Sequence, residues 1–475
     1  MCNFSHIASN FWGSDNGRGA DLGMLALGRK NIRGQRVICQ HEYFEVNLKL
    51  SRVLILVGIL SLNVGCGGGA ASTKPAAPAP TTPAATTPAP TTPAQPTPVP
   101  TTPAPTTPAA GLFPDYNQNP IAPDAAGMGS TAVQLASKIR LGLNIGNTME
   151  AIGGETAWGN PLITEALIKA AKADGFNAIR LPVAWDQYAN QQTGKIDQAW
   201  MDRVKQVVKY CVDNQMYVLM NIHWDGGWLE RNVQPDKQVA VNEKQKAFWT
   251  QIATQMRDFD EHLIFAGANE PAVDTANQMP VLMSYHQTFI DAVRATGGKN
   301  AYRVLAVQGP AVDIDKSATM WTAMPTDTVS NKLMYEVHFY PWQFTLMEKD
   351  EWWGHAFYYW GKDNHSTTDT AHNADQMEEA YVDQQFSKIR QQFVDKGIPV
   401  VLGEYAAMLR NNLTGDALAL HKKSRVYYIN YVTRSAVAHG LLPFYWDVGG
   451  LIDRGSNNAV LDPDLLDALV KGAIR

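Results

Sequence analysis

The chain has 475 residues, of which 45% are hydrophobic and 18% are charged, and its formal net charge is -5. This is the composition of an ordinary soluble protein, and it lacks the basic excess by which nucleic-acid-binding proteins attract phosphate. The 13 tryptophans are an unusually large number and need an explanation. The cysteines show neither metal-ligand nor disulfide spacing; they are Cys2, Cys39, Cys66 and Cys211, the last expected to be an inert core thiol.

A stretch typical of a secretory signal includes Cys66. Lys49 and Arg52 precede the apolar run Val53 to Leu60, and a glycine-rich segment follows. The run is too short to span a bilayer. Because Cys66 directly follows Gly65, the site resembles a bacterial lipobox, in which the cysteine is lipidated and becomes the mature N-terminus. Residues 46–66 are therefore expected to direct export of the protein. The exported protein would be an extracytoplasmic lipoprotein at the cell surface or outer membrane. An ordinary cleaved signal, giving a secreted form, is the alternative.

Different expectations apply to the segments on either side of this signal. Residues 1–45 precede the place where a signal should begin, and we hypothesise that translation starts near Val46, so that they are not made. Residues 67–110 form a linker, which from Lys74 to Ala110 is almost wholly Pro, Thr and Ala. Such a segment stays extended as a semi-rigid spacer. It would hold the following domain away from the membrane, which the protein is expected to touch only through a lipid on Cys66.

Residues 111–475 alternate short apolar runs with amphipathic stretches, a pattern that predicts strands followed by helices in a parallel sheet. Eight such units in this length predict a single α/β domain, a closed (β/α)8 TIM barrel, rather than an open doubly wound sheet. The predicted strands are Leu141 to Ile145, Ala178 to Val183, Tyr217 to His223, Leu263 to Asn269, Arg303 to Gln308, Lys332 to Tyr340, Pro399 to Tyr405 and Leu442 to Trp446. The predicted helices are Thr164 to Asp174, Ala199 to Asn214, Glu243 to Arg257, Met279 to Thr296, Ala374 to Lys396 and Lys422 to His439.

The ends of these strands carry an unusual density of polar and aromatic side chains. Barrel active sites lie at the carboxyl ends of the strands, so this is where functional residues are expected. Glu270 and Glu404 each follow an apolar run, and two distant strands can therefore hold two carboxylates across one cleft, the minimal equipment for cleaving a glycosidic bond. Chance placement of the whole set is improbable; its members are Asn144, Arg180, His223, Asn269 with Glu270, His338 with Tyr340, Glu404 and Trp446.

The order of these motifs resembles glycoside hydrolase family 5, a retaining family of TIM-barrel enzymes. The matching segments are Ile179-Arg180-Leu181-Pro182-Val183, Asn221-Ile222-His223-Trp224, Asn269-Glu270-Pro271, His338-Phe339-Tyr340, Gly403-Glu404-Tyr405 and Tyr445-Trp446-Asp447. Two further segments resemble the endoglucanase branch of the family, and they are Gly142-Leu143-Asn144-Ile145-Gly146-Asn147-Thr148 and Trp158-Gly159-Asn160-Pro161. One departure is Trp224, where many relatives carry a second histidine.

The resemblance implies a role for each member of the set. Glu404 would be the nucleophile, kept ionised by Arg180 and Tyr340, and Glu270 would be the general acid and then the general base. The negative charge of Glu404 would help Glu270 to hold its proton before the first step. The expected positioning and hydrogen-bonding residues are Asn269, which would donate to the sugar 2-hydroxyl, and His223 and His338. The expected substrate contacts are Asn144, Trp158, Trp224 and Trp446. No cofactor and no metal site is expected.

A long aromatic segment follows the sixth predicted strand. Its members are Trp342, Phe344, Trp352, Trp353, Phe357, Tyr358, Tyr359 and Trp360. A core helix or strand would show a regular apolar period, but the charged run from Glu348 to Glu351 interrupts this one. The interruption favours a wall on which sugars stack for part of the set. Local packing of a long loop is the alternative.

Together these features predict a retaining endo-β-1,4-glucanase (cellulase), acting as a monomer on a β-1,4-linked glucan polysaccharide. The same residues would also serve hydrolysis of xyloglucan, mixed-linkage glucan, mannan or xylan, because the difference lies in loop shape. A non-catalytic glycan-binding surface lipoprotein is the alternative of another class, although pure binding has no use for a carboxylate pair. A barrel enzyme for a non-sugar substrate would leave the aromatic excess unexplained.

Overall fold

The computed structural model describes residues 111–474 of the chain. Eight parallel strands close into a barrel in which each strand pairs with the next along the chain and the last pairs with the first. The predicted (β/α)8 barrel is therefore confirmed. The strands are β1 Gly142–Ile145, β2 Ala178–Leu181, β3 Tyr217–Asn221, β4 Leu263–Ala266, β5 Leu305–Gln308, β6 Leu333–His338, β7 Val400–Tyr405 and β8 Leu441–Asp447.

A helix follows every barrel strand before the chain enters the next one. These helices are α1 Glu165–Ala173, α2 Gln198–Asp213, α3 Gln238–Met256, α4 Met279–Ala295, α5 Ile314–Met320, α6 Glu379–Gln392, α7 Gly415–Ala438 and α8 Pro463–Gly472. Among the described residues two short α-helices are additional to these, Ala132–Lys138 before β1 and Trp342–Thr345 after β6. Ile121–Pro123 pairs with Gly297–Gly298 as a small parallel sheet. No helix within residues 111–474 is long and apolar enough to cross a bilayer.

All eight predicted strands are present, whereas the helices differ from the prediction in three ways. Helix α6 begins at Glu379, after the predicted Ala374, and ends at Gln392, before the predicted Lys396. The prediction does not include helices α5 and α8. Helix α5 has only 7 residues, and α8 begins at Pro463, a residue type that also predicts a turn. Helices α3 and α7 begin several residues before the predicted Glu243 and Lys422. Their first turns are mostly exposed and so carry no apolar period that a sequence could display.

The amino-terminal half of the barrel is filled with apolar side chains from the strands. The short helix Ala132–Lys138 packs on the same cluster through Leu135, and it closes this end of the barrel. The strand residues of this cluster are Ala178, Leu219, Ile264, Ala266, Ala306, Met334, Val401, Leu442 and Phe444. A larger apolar layer lies between the strands and the surrounding helices and includes Cys211, which is buried as expected. The polar side chains of the barrel therefore lie at the carboxyl ends of the strands.

The sequence-based expectations for the amino-terminal part of the chain lie outside the described residues. These are the hypothesis that residues 1–45 are not translated, the signal at 46–66 with its lipid-bearing Cys66, and the linker at 67–110. They stay predictions.

Candidate active site

Arg180, at the third position of β2, is the centre of the polar network at the carboxyl ends of the strands. Its side chain is fully buried and donates to four neighbours. Nη1 lies 2.8 Å from Oε1 of Glu404 and 2.9 Å from Oδ1 of Asn144. Nε lies 2.8 Å from Oε1 of Glu336, and Nη2 lies 2.8 Å from Oδ1 of Asn269. A guanidinium with its donors so engaged fixes two carboxylates at once.

Asn144 has a different place from the predicted one. It is fully buried, its oxygen accepts from Arg180, and its amide nitrogen lies 2.9 Å from the carbonyl oxygen of Gly403. The same nitrogen also lies 3.2 Å from the carbonyl oxygen of Phe444. With these atoms occupied inside the barrel, Asn144 has no surface to offer a sugar. The structure corrects its expected role from substrate contact to orientation of the Arg180 guanidinium.

Glu404, on β7, is held by both of its carboxylate oxygens. Arg180 binds Oε1, and the hydroxyl of Tyr340 donates to Oε2 across 3.1 Å. Burial raises the pKa of Glu404 above its ordinary value, as do the nearby carboxylates, while His338 and Arg180 act in the opposite direction. The ionised form of Glu404 therefore depends on these two cationic neighbours.

His338, the last residue of β6, lies between the two predicted catalytic glutamates. Its Nδ1 is 2.7 Å from Oε1 of Glu270 and 3.7 Å from Oε2 of Glu404. Burial alone would lower the pKa of His338, but the charges of Glu404, Glu270 and Glu336 outweigh it and raise the pKa to about 9. The ring is therefore an imidazolium at neutral pH, and both of its nitrogens are donors.

The separation of Glu270 and Glu404 distinguishes two types of glycosidase. One carboxylate oxygen of Glu270 and one of Glu404 lie within 4.8 Å of each other. Carboxyl groups about 5 to 5.5 Å apart belong to retaining enzymes, whereas inverting enzymes need room for a water and hold them about 6.5 to 9.5 Å apart. The side chain of Glu270 is 21% exposed and that of Glu404 only 8%. The more open carboxylate is the one predicted to exchange protons with substrate and water.

Glu336 belongs to this site and is missing from the sequence-based prediction. It lies on β6 two residues before His338 and is fully buried. Besides Arg180, Gln308 donates to it across 2.7 Å. Burial alone would raise the pKa of Glu336, but Arg180 and His338 outweigh it and hold the pKa below its usual range. A charged residue inside an apolar strand, on the same face as His338, is the signal that could have identified it.

Glu230 is a second site residue that the sequence-based prediction does not include. It is buried in the loop after β3, and its Oε1 accepts from the backbone N–H of Glu270 across 2.9 Å. Its own carbonyl oxygen accepts from the N–H of Ala272 across 2.8 Å. Burial and the charge of Glu270 raise the pKa of Glu230 to about 8. Glu230 is thus protonated at neutral pH and anchors the backbone on both sides of Pro271.

His223 and Trp446 form an adjacent wall of the site. Their rings are nearly parallel, at 11°, with centroids 5.6 Å apart. The side-chain nitrogen Nδ2 of Asn221 lies 3.3 Å from Nδ1 of His223 and donates to it. Because Nδ1 accepts, the ring proton is on Nε2. Burial lowers the pKa of His223 well below its usual value, as do the charges of Arg180 and His338. The ring is therefore neutral and suited to hydrogen bonding with an uncharged hydroxyl.

Comparison with known proteins agrees with this geometry. Residues 144–450 match the family described as Cellulase (glycosyl hydrolase family 5). The chain belongs to glycoside hydrolase family 5. It is 41% identical over 352 residues to the xyloglucan-specific endo-beta-1,4-glucanase of Bacteroides ovatus, covering 69% of this chain and 67% of that protein. Endoglucanase B of Clostridium cellulovorans is 32% identical over 366 residues, covering 72% of this chain and 76% of that protein.

Solved structures of family 5 enzymes have the same fold. A Bacteroides ovatus xyloglucanase bound to a heptasaccharide superposes with a TM-score of 0.70 at 36% identity, covering 77% of this chain and 81% of that one. A broad-specificity endoglucanase from Ruminococcus champanellensis with bound cellotriose gives a TM-score of 0.61 at 33% identity, covering 72% of this chain and 98% of that one. The expected membership of a glycoside hydrolase family is confirmed.

The remaining predicted substrate contacts lie in loops of this family 5 barrel. Trp158 is half-buried in the loop after β1, and Trp224 is half-buried directly after His223. The ring of Trp224 lies 5.6 Å from the guanidinium carbon of Arg231, and its indole nitrogen is buried with no hydrogen-bond partner among residues 111–474. The roles of both tryptophans in binding sugar stay predictions.

The aromatic loop after β6 is for the most part a packed structure. Arg410 lies beneath it and donates to the carbonyl oxygens of Met347 and Phe357, while its guanidinium carbon lies 4.3 Å from the centroid of Tyr358. Packing therefore explains the buried members, which are Phe344, Phe357, Tyr358, Tyr359 and Trp360. Trp352 and Trp353 differ, since they are 76% and 48% exposed. The predicted sugar-stacking wall is thus narrowed to these two and to the half-buried Trp342.

Proposed function

We propose that this protein is a retaining endo-β-1,4-glucanase. The observation that carries the proposal is the approach of Glu270 and Glu404 to within 4.8 Å with the His338 ring beside both. The membership of family 5, with endoglucanases among the relatives, supports the same reaction.

In the first step, the Glu404 carboxylate attacks the anomeric carbon and forms a glycosyl ester, while Glu270 protonates the departing glycosidic oxygen. Oε1 of Glu270 accepts from His338, so the transferred proton is carried by Oε2. The C–O bond to the leaving sugar breaks as the bond to Glu404 forms. The leaving chain departs as a neutral alcohol, and Glu270 is left as a carboxylate.

In the second step, Glu270 removes a proton from a water molecule that attacks the same anomeric carbon. The ester bond breaks, Glu404 regains its negative charge beside Arg180, and Glu270 is protonated again. Two inversions at one carbon give a product with the original β configuration. Glu230 supports both steps, because it holds the backbone N–H of Glu270 in place.

Within this activity, we propose that xyloglucan is hydrolysed faster than unsubstituted cellulose. The support comes from relatives: the xyloglucan-specific enzyme of Bacteroides ovatus is 41% identical, and a xyloglucan-specific glucanase from a ruminal metagenomic library is 37% identical. Mixed-linkage glucan, mannan and xylan are the competing substrates. A comparison of hydrolysis rates on all of these polymers distinguishes between them.

The test is release of reducing ends by the purified protein from xyloglucan, carboxymethylcellulose, barley β-glucan, glucomannan and xylan. We expect hydrolysis of the β-1,4-glucans, fastest on xyloglucan, and its loss in Glu404→Gln. Glu348→Gln, which changes an exposed carboxylate in the aromatic loop, is the matched control and should keep the activity. Binding to these polymers without turnover would favour a glycan-binding protein instead, and fastest turnover on mannan or xylan would change the substrate.

We propose, further, that the protein is exported and held at the membrane by a lipid on Cys66. The support is the sequence alone, which places a basic and apolar segment before Gly65-Cys66 and a Pro/Thr/Ala linker after it. Metabolic labelling with palmitate should mark the wild-type chain but not Cys66→Ala. Cys211→Ala is the control, and label retained in Cys66→Ala would contradict the anchor.

A further inference from the structure

A cluster of two histidines and one carboxylate lies in the loop between β6 and α6, apart from the catalytic carboxylates. Nδ1 of His355 is 2.8 Å from Oδ2 of Asp350, and Nε2 of His372 is 3.3 Å from Oδ1 of the same residue. One ligand atom from each of the three residues lies within 4.8 Å of the others. The three side chains are partly exposed, so the cluster is open to ions from solution.

We propose that Asp350, His355 and His372 bind a zinc ion. Two imidazoles and a carboxylate are a donor set that zinc accepts with three protein ligands and a water. Zinc bonds of about 2.0 to 2.1 Å in a tetrahedron place neighbouring ligand atoms about 3.3 Å apart, which is the separation of His372 and Asp350. The contact of His355 with Asp350 is shorter at 2.8 Å, and a small rotation of the exposed His355 ring would admit the ion.

The surroundings of His372 orient its ring for this role. Nδ1 lies 2.7 Å from Oδ1 of Asp369 and donates to it, so Nε2 is the ring nitrogen that faces Asp350. A carboxylate behind a metal-binding histidine is the usual support of a zinc ligand. The ring also stacks on Tyr358, with centroids 3.9 Å apart and planes at 5°. His372 is therefore held in a single orientation.

The carboxylate of Asp350 is held in a similar way. Its Oδ1 accepts from the backbone N–H of Ala356 across 3.0 Å, which fixes the plane of the carboxylate and leaves Oδ2 toward His355. A backbone N–H also holds the carboxylate of another pair, since Gly361 donates to Glu378 across 2.8 Å, but that pair lacks a third ligand within residues 111–474. His365 with Glu378, at 2.8 Å in the same loop, belongs to no group of three among the described residues.

The catalytic cluster of Glu270, His338 and Glu404 is the other group of three ligand-type residues within residues 111–474. It is a poorer candidate for zinc. The buried guanidinium of Arg180 already binds Glu404 across 2.8 Å, and its positive charge would repel a metal ion at that place.

Zinc at this place would join two parts of the loop. Asp350 and His355 stand on either side of the turn from Glu351 to Gly354, whose ends exchange backbone hydrogen bonds of 3.0 and 3.1 Å. The turn carries the exposed Trp352 and Trp353, and His372 lies on the returning arm. A shared ion would therefore restrict the movement of the turn that presents these two tryptophans.

The test is a calorimetric titration of the full-length, tag-free, chelator-treated protein with Zn²⁺. The absorption spectrum of the Co²⁺-bound protein is a second readout, which reports tetrahedral coordination. We expect saturable binding of one ion, lost in His355→Ala and in His372→Ala. Asp369→Asn should lower the affinity by about 10- to 100-fold, because it removes the support of a ligand and not a ligand itself. His365→Gln is the matched control and should bind as the wild type does.

A change in the fold is excluded by comparing thermal unfolding of the variants without metal, and Zn²⁺ should raise the Tm of the wild type but not of His372→Ala. Absence of saturable binding would overturn the proposal. So would binding that survives both histidine substitutions, or that is lost in Glu404→Gln, since the ion would then lie at the catalytic carboxylates.

Discussion

Nδ1 of His338 lies 2.7 Å from the carboxylate of Glu270, so one imidazolium is shared by the proposed acid/base and the nearby nucleophile. Its charge lies beside the Glu404 carboxylate before the first step, and beside the Glu270 carboxylate once Glu404 has become an ester. The relationship makes the site dependent on the protonation of a histidine as well as on that of its glutamates.

The imidazolium of His338 gives the enzyme an alkaline limit. Because the pKa of His338 is raised to about 9, its charge is present at neutral pH and is lost as the pH rises through about 9. We expect kcat/KM to fall over that range. In His338→Gln, kcat/KM should drop by about 10²-fold or more, and the alkaline limb near 9 should disappear. His262→Gln, which removes a histidine paired with Asp260, is the control. An alkaline limb unchanged in His338→Gln would contradict this assignment.

Glu270→Ala should separate the two steps of proton transfer. Loss of the general acid slows substrates with poor leaving groups by about 10²- to 10⁴-fold, whereas an aryl glycoside with an activated leaving group needs no proton. Activity on that aryl glycoside should recover in azide, which replaces the base-activated water and gives a β-glycosyl azide. Equal losses on good and poor leaving groups would remove Glu270 from the acid/base role.

Glu230 should act through the backbone of Glu270. Glu230→Gln keeps an oxygen that can accept from the Glu270 N–H, so kcat should change little. Glu230→Ala leaves that buried N–H unpaired, at a cost of about 1–3 kcal/mol in the free energy of unfolding, and should lower kcat while sparing KM. Denaturant unfolding and steady-state kinetics of both variants measure this. Equal kcat values for the Gln and Ala variants would contradict the positioning role.

The same carboxyl group makes stability depend on pH. The pKa of Glu230 is about 8 in the folded protein, above the ordinary value, so unfolding releases its proton at intermediate pH. Its contribution to stability therefore falls as the pH rises from about 4.5 to about 8. We expect Glu230→Gln to flatten the decline of Tm over this range. A parallel decline of Tm in the variant and the wild type would show that Glu230 does not cause the pH dependence.

Gly403 should be irreplaceable for a steric reason. A Cβ at this position of β7 would lie 2.1 Å from Oε1 of Glu336, which pairs with Arg180. Gly403→Ala should displace that carboxylate and lower the free energy of unfolding by about 3–5 kcal/mol, the range for a broken buried ion pair. Gly129→Ala, where an added Cβ meets nothing within 4 Å, is the control. Equal unfolding midpoints for Gly403→Ala and the wild type would contradict the packing argument.

Most of the fold can be predicted from the sequence, because each barrel strand is buried on both faces and so appears as a short apolar run. The strand ends are also visible, since Arg180, His338 and Glu404 interrupt or end such runs. Helix starts are less visible, because the first turns of α3 and α7 are exposed and no burial constrains their residues.

The remaining parts of the site depend on contacts that no local pattern displays. Asn144 is sequestered because β1 places it against Arg180 and the carbonyl of Gly403, on a strand far along the chain. Glu230 reaches Glu270 from a different loop. The aromatic segment after β6 is packed because Arg410, about 50 to 70 residues further along the chain, binds its carbonyl oxygens.

A retaining mechanism through Glu404 passes through a covalent glycosyl ester, and trapping that intermediate tests the mechanism. The full-length protein is incubated with a 2-deoxy-2-fluoro-β-cellobioside that carries an activated leaving group, and its peptides are analysed by mass spectrometry. We expect time-dependent inactivation and one glycosyl adduct per chain on the peptide containing Glu404. Adding a β-linked acceptor should reactivate the enzyme. Turnover with no adduct, or an adduct on a carboxylate other than Glu404, would contradict this mechanism.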